Sequence, residues 1–91
     1  MKPETILTQH PQGKTGRNIA KEKYDTIKNA MLDVLQNQSI THNELMGGMT
    51  EMLTGKFDGN ISWYSETVKL DLEAKQVIER TPTKPQKYKL K

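Results

Sequence analysis

The chain has 91 residues, of which 33% are hydrophobic and 27% are charged, with a formal net charge of +3 and no cysteine. This length provides one modest hydrophobic core and no second lobe. The lack of cysteine excludes disulfides and thiolate chemistry and removes the usual structural ligands of zinc. No run approaches the roughly 18 to 20 apolar residues that span a bilayer, and residues 1–12 lack the apolar centre of a signal peptide. We therefore expect a cytoplasmic protein without membrane contact.

The charged residues are distributed unevenly. Residues 1–24 carry five basic and two acidic residues, residues 25–76 carry four lysines and eight acidic residues, and residues 77–91 carry five basic residues and one acidic residue. A mildly acidic body with two basic ends favours contact with a polyanion through those ends. Lysine-rich ends that only keep a small protein in solution give the same pattern, so charge leaves both interpretations open.

Residues 1–17 are predicted to be irregular and to form a flexible N-terminal arm, ahead of a domain over residues 18–91. Pro3, Pro11, Gly13 and Gly16 interrupt any helix, and the apolar residues of this stretch show no period. The alternative is a segment laid over the surface of this subunit or of a partner subunit.

The first two helices are predicted from apolar residues at helical spacing. One spans residues 19–36, where Tyr24, Ile27 and Met31 share a face and Asn18 is the expected N-cap. The second follows a capping box formed by Thr41 and Glu44 and runs to residue 53. Gly47 and Gly48 lie in its interior. Because glycine is unfavourable inside a helix, the pair indicates that another helix approaches closely there.

A third helix is predicted over residues 62–75, with Asn60 or Ser62 as its cap. Its apolar content comes from Trp63 or Tyr64 together with Val68, Leu70, Leu72 and Ala74. We place Trp63 in the core with Phe57 and Tyr24, which is usual for a single large aromatic residue in a small domain. The alternative is an exposed Trp63 that anchors a partner.

The period then changes from helix to strand. Residues 77–80 and 86–90 are predicted to pair as a hairpin, with Tyr88 and Leu90 on its apolar face and Lys87 and Lys89 on the other.

Helix, short link, helix, turn, helix and hairpin is the order of elements in a winged helix-turn-helix domain. The segment from Ile61 to Arg80, which contains the run LEAKQVIER, resembles the third helix and first wing strand of such proteins. The ending Lys-Tyr-Lys-Leu is similar to that of small single-domain bacterial winged-helix proteins with no assigned function. The resemblance covers residues 19–91. It implies an α+β fold, mainly α, in which a three-helix winged helix-turn-helix carries a C-terminal β-hairpin wing.

The resemblance also implies a DNA-binding or DNA-associated protein, such as a small transcriptional regulator. In DNA-binding winged helices the third helix enters the major groove and the wing touches the DNA backbone. Carried onto this chain, the expected DNA contacts are Ser62, Tyr64, Ser65, Lys69, Arg80, Lys84, Lys87 and Lys89. A homodimer is expected for palindromic sites, with the N-terminal arm or the first helix as the interface.

The predicted third helix departs from this pattern because it is acidic. Residues 62–75 contain three acidic residues, two lysines and no arginine. The commonest guanine contact is therefore missing there, and phosphate attraction is weakened. Two alternatives stay open: a winged-helix protein–protein interaction module that uses Trp63 and Tyr64, and a domain that binds RNA or ribosomal surfaces. No nucleophile, histidine and acid form a recognisable catalytic set, so we expect no enzyme activity, no metal and no cofactor.

Overall fold

A computed structural model describes residues 4–10, 12–13 and 16–91 as an α+β fold with three helices and two small antiparallel sheets. In chain order the elements are β1 Thr5–Leu7, β2 Asn18–Ala20, α1 Lys21–Val34, β3 Ile40–Thr41, α2 His42–Leu53, α3 Ile61–Ala74, β4 Ile78–Arg80 and β5 Lys87–Leu90. The α+β class and the three predicted helices are confirmed.

The core lies between the three helices, each of which packs against the other two. Its fully buried apolar side chains are Ile27, Met31, Leu35, Leu45, Met49, Val68, Leu72 and Ile78. The first helix begins later than predicted, because Asn18 belongs to β2 and Ala20 is the residue that precedes α1, without a side-chain cap. The predicted Asn18 cap is therefore wrong.

The predicted capping box of α2 is confirmed, and of the two glycines only Gly48 lies close to another helix. The Thr41 hydroxyl accepts a hydrogen bond from the Glu44 amide, and the Glu44 carboxylate accepts one from the Thr41 amide. Gly48 lies against α1, where an added Cβ would sit 3.1 Å from a methyl carbon of Val34. Gly55 follows the helix with a φ of +80°, a backbone conformation that suits glycine and ends α2.

The N-cap of α3 is Asn60, whose side chain accepts from the Trp63 amide at 2.9 Å. The buried residues of this helix are Ser65, Val68, Lys69, Asp71 and Leu72. Three polar residues thus occupy positions that an amphipathic helix normally fills with apolar side chains.

The C-terminal hairpin consists of β4 and β5 and joins β3 in a three-stranded antiparallel sheet with the order β3-β5-β4. Tyr88, at the centre of the sheet, lies opposite Ile40 on one side and Arg80 on the other. Tyr88 is buried and Lys89 is exposed, as the predicted alternation of the second strand requires, whereas Lys87 and Leu90 are both half-buried.

The N-terminal hairpin, which we define as β1, β2 and the described residues between them, was not predicted. β1 pairs with β2 in an antiparallel register that places Ile6 opposite Ile19. The Thr8 amide donates to the Arg17 carbonyl at 2.8 Å, and a Cβ at Gly16 would overlap the Thr8 carbonyl oxygen. Residues 5–7 are therefore a strand rather than irregular chain, and the described part of the predicted arm lies over the body of its own subunit. Residues 1–3, 11 and 14–15 of that arm lie outside the described residues.

Candidate binding groove beside the third helix

A groove of about 390 Å³ lies between the N-terminal hairpin and α3. The hairpin forms one wall and four residues of the helix form the other. The lining residues are Thr8, Gln9, His10, Gly16, Arg17, Trp63, Glu66, Thr67 and Leu70. Its volume lies within the range of small-ligand and side-chain pockets. We call this feature the α3 groove.

Trp63 stands at the α3 groove with 43% of its surface exposed. Its ring meets the ring of Tyr64 edge to face, with centroids 4.9 Å apart, and Tyr64 in turn packs against Phe57 at 5.2 Å. The ammonium of Lys23 lies 5.3 Å from the centre of the Tyr64 ring. The prediction that Trp63 packs in the core is wrong, because Tyr64 takes the place beside Phe57 and leaves Trp63 on the outer side of the helix.

Both signs of charge occur in the α3 groove. Arg17 and Glu66 are exposed and line the groove, and neither forms an ion pair within 4.0 Å with another described residue. His10, which is half-buried, accepts at Nδ1 from the Gln12 amide at 3.1 Å. The groove therefore presents the apolar surface of Trp63 and Leu70 together with one exposed guanidinium and one exposed carboxylate.

Asp71 holds the N-terminal hairpin against α3. Its carboxylate is fully buried, accepts from the Gln9 amide at 2.8 Å and from the Tyr24 hydroxyl, and pairs with the Lys75 ammonium at 3.0 Å. Burial, and next the hydrogen bond to Asp71, raise the pKa of Tyr24 well above its ordinary value. One carboxylate thus links the hairpin, α1 and α3, and this fixes one wall of the α3 groove relative to the other.

Two of the four α3 residues expected to contact DNA are not accessible. Ser65 is fully buried, and Lys69 is only 3% exposed. The Lys69 ammonium lies 3.1 Å from Nδ1 of His42, donates to the Tyr88 hydroxyl at 3.3 Å and sits 4.4 Å from the centre of the Tyr88 ring. In this structure Ser65 and Lys69 therefore lie away from the outer face of α3, where a DNA contact would form. Ser62 is exposed and Tyr64 is half-buried.

The basic residues of the C-terminal hairpin are partly matched by acidic neighbours. Arg80 donates two hydrogen bonds to Glu73 of α3, at 2.7 and 3.1 Å, and this pairing raises the pKa of the guanidinium. Lys89 lies 3.3 Å from a carboxylate oxygen of Glu79 on the neighbouring strand. Lys84 in the loop is exposed, and Lys87 is half-buried.

The sequence did not indicate Asp71, Gln9 or Arg17 as members of a site. The available signal was the position of Asp71 inside the apolar stretch from Val68 to Leu72, where a carboxylate needs a buried partner. Nothing in residues 9–17 indicated which helix they contact, because that contact joins residues 62 positions apart.

Comparison with known proteins identifies the family of this chain. Residues 5–88 match the family of unknown function DUF6958, and the chain belongs to that family. Neither the curated proteins nor the solved structures contain a match to it. Within the described residues no helix is long and apolar enough to cross a membrane, and no three metal-ligating side chains cluster together.

Proposed function

We propose that this member of a family of unknown function is a winged-helix module that binds a short segment of another protein in the α3 groove. The observation that carries the proposal is the position of Trp63, which stands 43% exposed at the α3 groove instead of in the core. Tryptophan is one of the side chains enriched among the residues that supply most of the binding energy at protein interfaces.

The chemistry of the α3 groove fits a peptide segment with one large apolar side chain. A volume of about 390 Å³ accommodates such a side chain between Trp63 and Leu70, but it is too small for a helix to lie inside. Arg17 and Glu66 fix the direction of the segment, because each charge attracts the opposite charge on the partner. The expected ligand is therefore an apolar residue flanked by an acidic and a basic residue.

The winged-helix part of the proposal is supported by strand order. β3 connects α1 to α2 and pairs with β5, so the link between the first two helices is tied to the C-terminal hairpin. This is the connection that a wing makes in the family that the sequence resembles. Under this proposal α3 corresponds to the recognition helix of a winged-helix domain.

Direct readout of DNA by α3 is less well supported. Glu66 is exposed on the outer side, and neither Ser65 nor Lys69 is available there. Neutralisation of phosphates supplies most of the affinity for DNA, so an outer face with an exposed carboxylate opposes binding.

The test is selection of ligands from a displayed peptide library, followed by measurement of the affinity of synthetic peptides by fluorescence anisotropy. We expect sequences with a shared apolar anchor, and we expect Trp63→Ala to weaken their binding at least tenfold while the circular dichroism spectrum is retained. Leu7→Ser is the matched control, because Leu7 is 62% exposed but lies outside the groove lining. Equal affinity of the wild type and the Trp63 variant for the peptides would contradict binding in the α3 groove.

A second candidate function is DNA association through the C-terminal hairpin. Lys84 is exposed in its loop and has no acidic partner within 4.0 Å among the described residues, and Lys87 and Lys89 follow on β5. Such a hairpin suits phosphate contacts rather than base contacts.

This candidate is tested by titration of a random-sequence duplex at several salt concentrations. Binding through the hairpin predicts an affinity that falls steeply with salt and is lost in the variant with Lys84→Glu, Lys87→Glu and Lys89→Glu. A triple variant with Lys21→Glu, Lys28→Glu and Lys56→Glu changes the net charge equally and serves as control. Equal loss in both variants would indicate an effect of net charge only, and unchanged affinity in the hairpin variant would exclude its role.

A further inference from the structure

The outer edge of β1 carries backbone groups without partners among the described residues. The Thr8 amide donates to the Arg17 carbonyl, and the Lys21 amide donates to the Glu4 carbonyl. Because hydrogen-bonded and non-hydrogen-bonded pairs alternate along an antiparallel ladder, the backbone groups of residues 4, 6 and 8 face β2. Those of Thr5 and Leu7 face the opposite edge, where the two-stranded sheet ends.

We propose that this edge pairs with the same edge of a second copy of the chain, so that two N-terminal hairpins form one four-stranded antiparallel sheet. A two-fold axis at Ile6 makes the pairing symmetric, as most homodimer interfaces are. Thr5 of each copy then lies opposite Leu7 of the other, and the two residues exchange their free N–H and C=O groups. The two Thr5–Leu7 pairs form two hydrogen bonds each, so the dimer gains four hydrogen bonds between the strands.

The side chains fit this register. On the inner face, Ile6 of one copy meets Ile6 of the other, and since Ile19 lies opposite Ile6 within each hairpin, four isoleucines form one continuous row. Ile6 is only half-buried in the single chain, so the pairing covers apolar surface that it leaves accessible. On the outer face Leu7, which is 62% exposed, gains Thr5 of the second copy as its cross-strand neighbour.

The charges at the ends of the strand are complementary under the same two-fold axis. Within its own hairpin Glu4 lies opposite Lys21. Across the two-fold axis it lies opposite Thr8 of the second copy, which is itself opposite Arg17. This row thus joins Glu4 to Lys21 of its own chain, whose ammonium also pairs with Asp25 at 2.7 Å, and to Arg17 on the next strand of the second copy. Another register that keeps the strand antiparallel moves the Ile6 side chains apart and forfeits part of the hydrogen bonding.

The dimer does not rest on the proposed peptide binding, because β1 pairs at its edge and Trp63 lies on α3. Sedimentation velocity of the full chain from about 10 μM to 1 mM tests the assembly. We expect a concentration-dependent dimer whose dissociation constant rises at least tenfold with Thr5→Pro, since proline removes an outward N–H in each copy. Thr5→Val keeps that N–H and is the matched control, and Trp63→Ala should leave the dissociation constant unchanged.

The register has its own test, because the natural chain has no cysteine and a single introduced thiol can pair only between copies. Ile6→Cys places two thiols at a non-hydrogen-bonded pair, where the Cα atoms of antiparallel strands are about 4.5 Å apart and a disulfide fits. We expect Ile6→Cys to form a covalent dimer under mild oxidation much faster than Leu7→Cys, whose thiols lie in different rows. A monomer at all concentrations, equal dimerisation of the Thr5→Pro and Thr5→Val variants, or faster cross-linking of Leu7→Cys would each overturn the proposal.

Discussion

Tyr24 donates a hydrogen bond to the same carboxylate that holds the N-terminal hairpin, so ionisation of Tyr24 affects the stability of this contact. Its hydroxyl donates to the buried carboxylate of Asp71, which also accepts the Gln9 amide. Burial disfavours the phenolate, and ionisation would also break the hydrogen bond to Asp71 and place a second negative charge beside its carboxylate. The folded state therefore favours the protonated form, and the pKa of Tyr24 is raised. The stabilisation is complete below the ordinary tyrosine pKa of roughly 10 and is lost as the pH rises through the higher folded value.

We predict that Tyr24 ionises at a higher pH than a free tyrosine in the folded protein. The measurement is absorbance at about 295 nm during alkaline titration of wild type and of Tyr24→Phe, whose difference isolates Tyr24. The difference curve should have its midpoint above the ordinary value and should coincide with loss of helical circular dichroism. A midpoint at the ordinary value in a protein that is still folded would contradict the assigned hydrogen bond.

Ser65 is a second residue whose surroundings determine its contribution to the stability of the fold. Its hydroxyl is fully buried in α3 and has no hydrogen-bond partner among the described residues. A buried polar group without a partner costs about 1 to 3 kcal/mol, and alanine is also the better helix former. Ser65→Ala should therefore raise the free energy of unfolding by about 1 kcal/mol in chemical denaturation. The control is Ser62→Ala, an exposed site in the same helix, which should gain less than half as much; equal gains would show that helix propensity alone is at work.

At the scale of elements, the two adjacent glycines of α2 have different reasons to be there. An added Cβ at Gly47 meets no atom within 4 Å, whereas one at Gly48 meets Val34 of α1 at 3.1 Å. Alanine in a helix interior is favoured over glycine by about 1 kcal/mol. We predict that Gly47→Ala raises the free energy of unfolding by close to that amount and that Gly48→Ala raises it less or lowers it. In a protein that already carries Val34→Ala, Gly48→Ala should raise the free energy of unfolding by more than it does in the wild type. A larger rise from Gly48→Ala than from Gly47→Ala in the wild type would contradict the helix contact.

The elements that could be predicted are those whose signals are local. Tyr24, Ile27 and Met31 repeat at helical spacing, and the capping box at Thr41 places the start of α2 within one residue. The face of α3 was misjudged because Trp63 and Leu70 were counted as core by their hydrophobicity. The spacing of Ser65, Val68 and Leu72 identifies the buried stripe, but only if a serine is accepted as one of its members.

The two sheets differ in how far the sequence reveals them. The C-terminal hairpin could be predicted because alternation in residues 86–90 is local and its two strands are close in the chain. The N-terminal hairpin could not, since Ile6 and Ile19 are isolated apolar residues separated by a long connection. Its position on α3 depends on Asp71 and Gln9, and so the α3 groove follows from tertiary contacts and not from any motif.

On the scale of the whole molecule, the N-terminal hairpin behaves as part of the folded body. Ile19 and Thr8 are buried, and the Asp71 carboxylate accepts a hydrogen bond from the Gln9 amide. Removal of residues 1–17 would expose Ile19 and leave Asp71 without one of its donors, and each loss lowers stability. A flexible arm that makes no contact with the domain would not contribute to its stability.

We therefore predict that deletion of residues 1–17 lowers the free energy of unfolding by about 2 to 4 kcal/mol, the sum of lost apolar burial and one lost charged hydrogen bond. Urea denaturation followed by circular dichroism measures it, at a protein concentration low enough that self-association does not contribute. The milder variant Ile6→Ala should lower stability by about 1 kcal/mol, because Ile6 is only half-buried. Amide exchange at Tyr24 and along α3 should be faster in Ile6→Ala than in the wild type, and faster still in the deletion variant. An unchanged urea midpoint in the deletion variant would mean that the helices are stable without the hairpin.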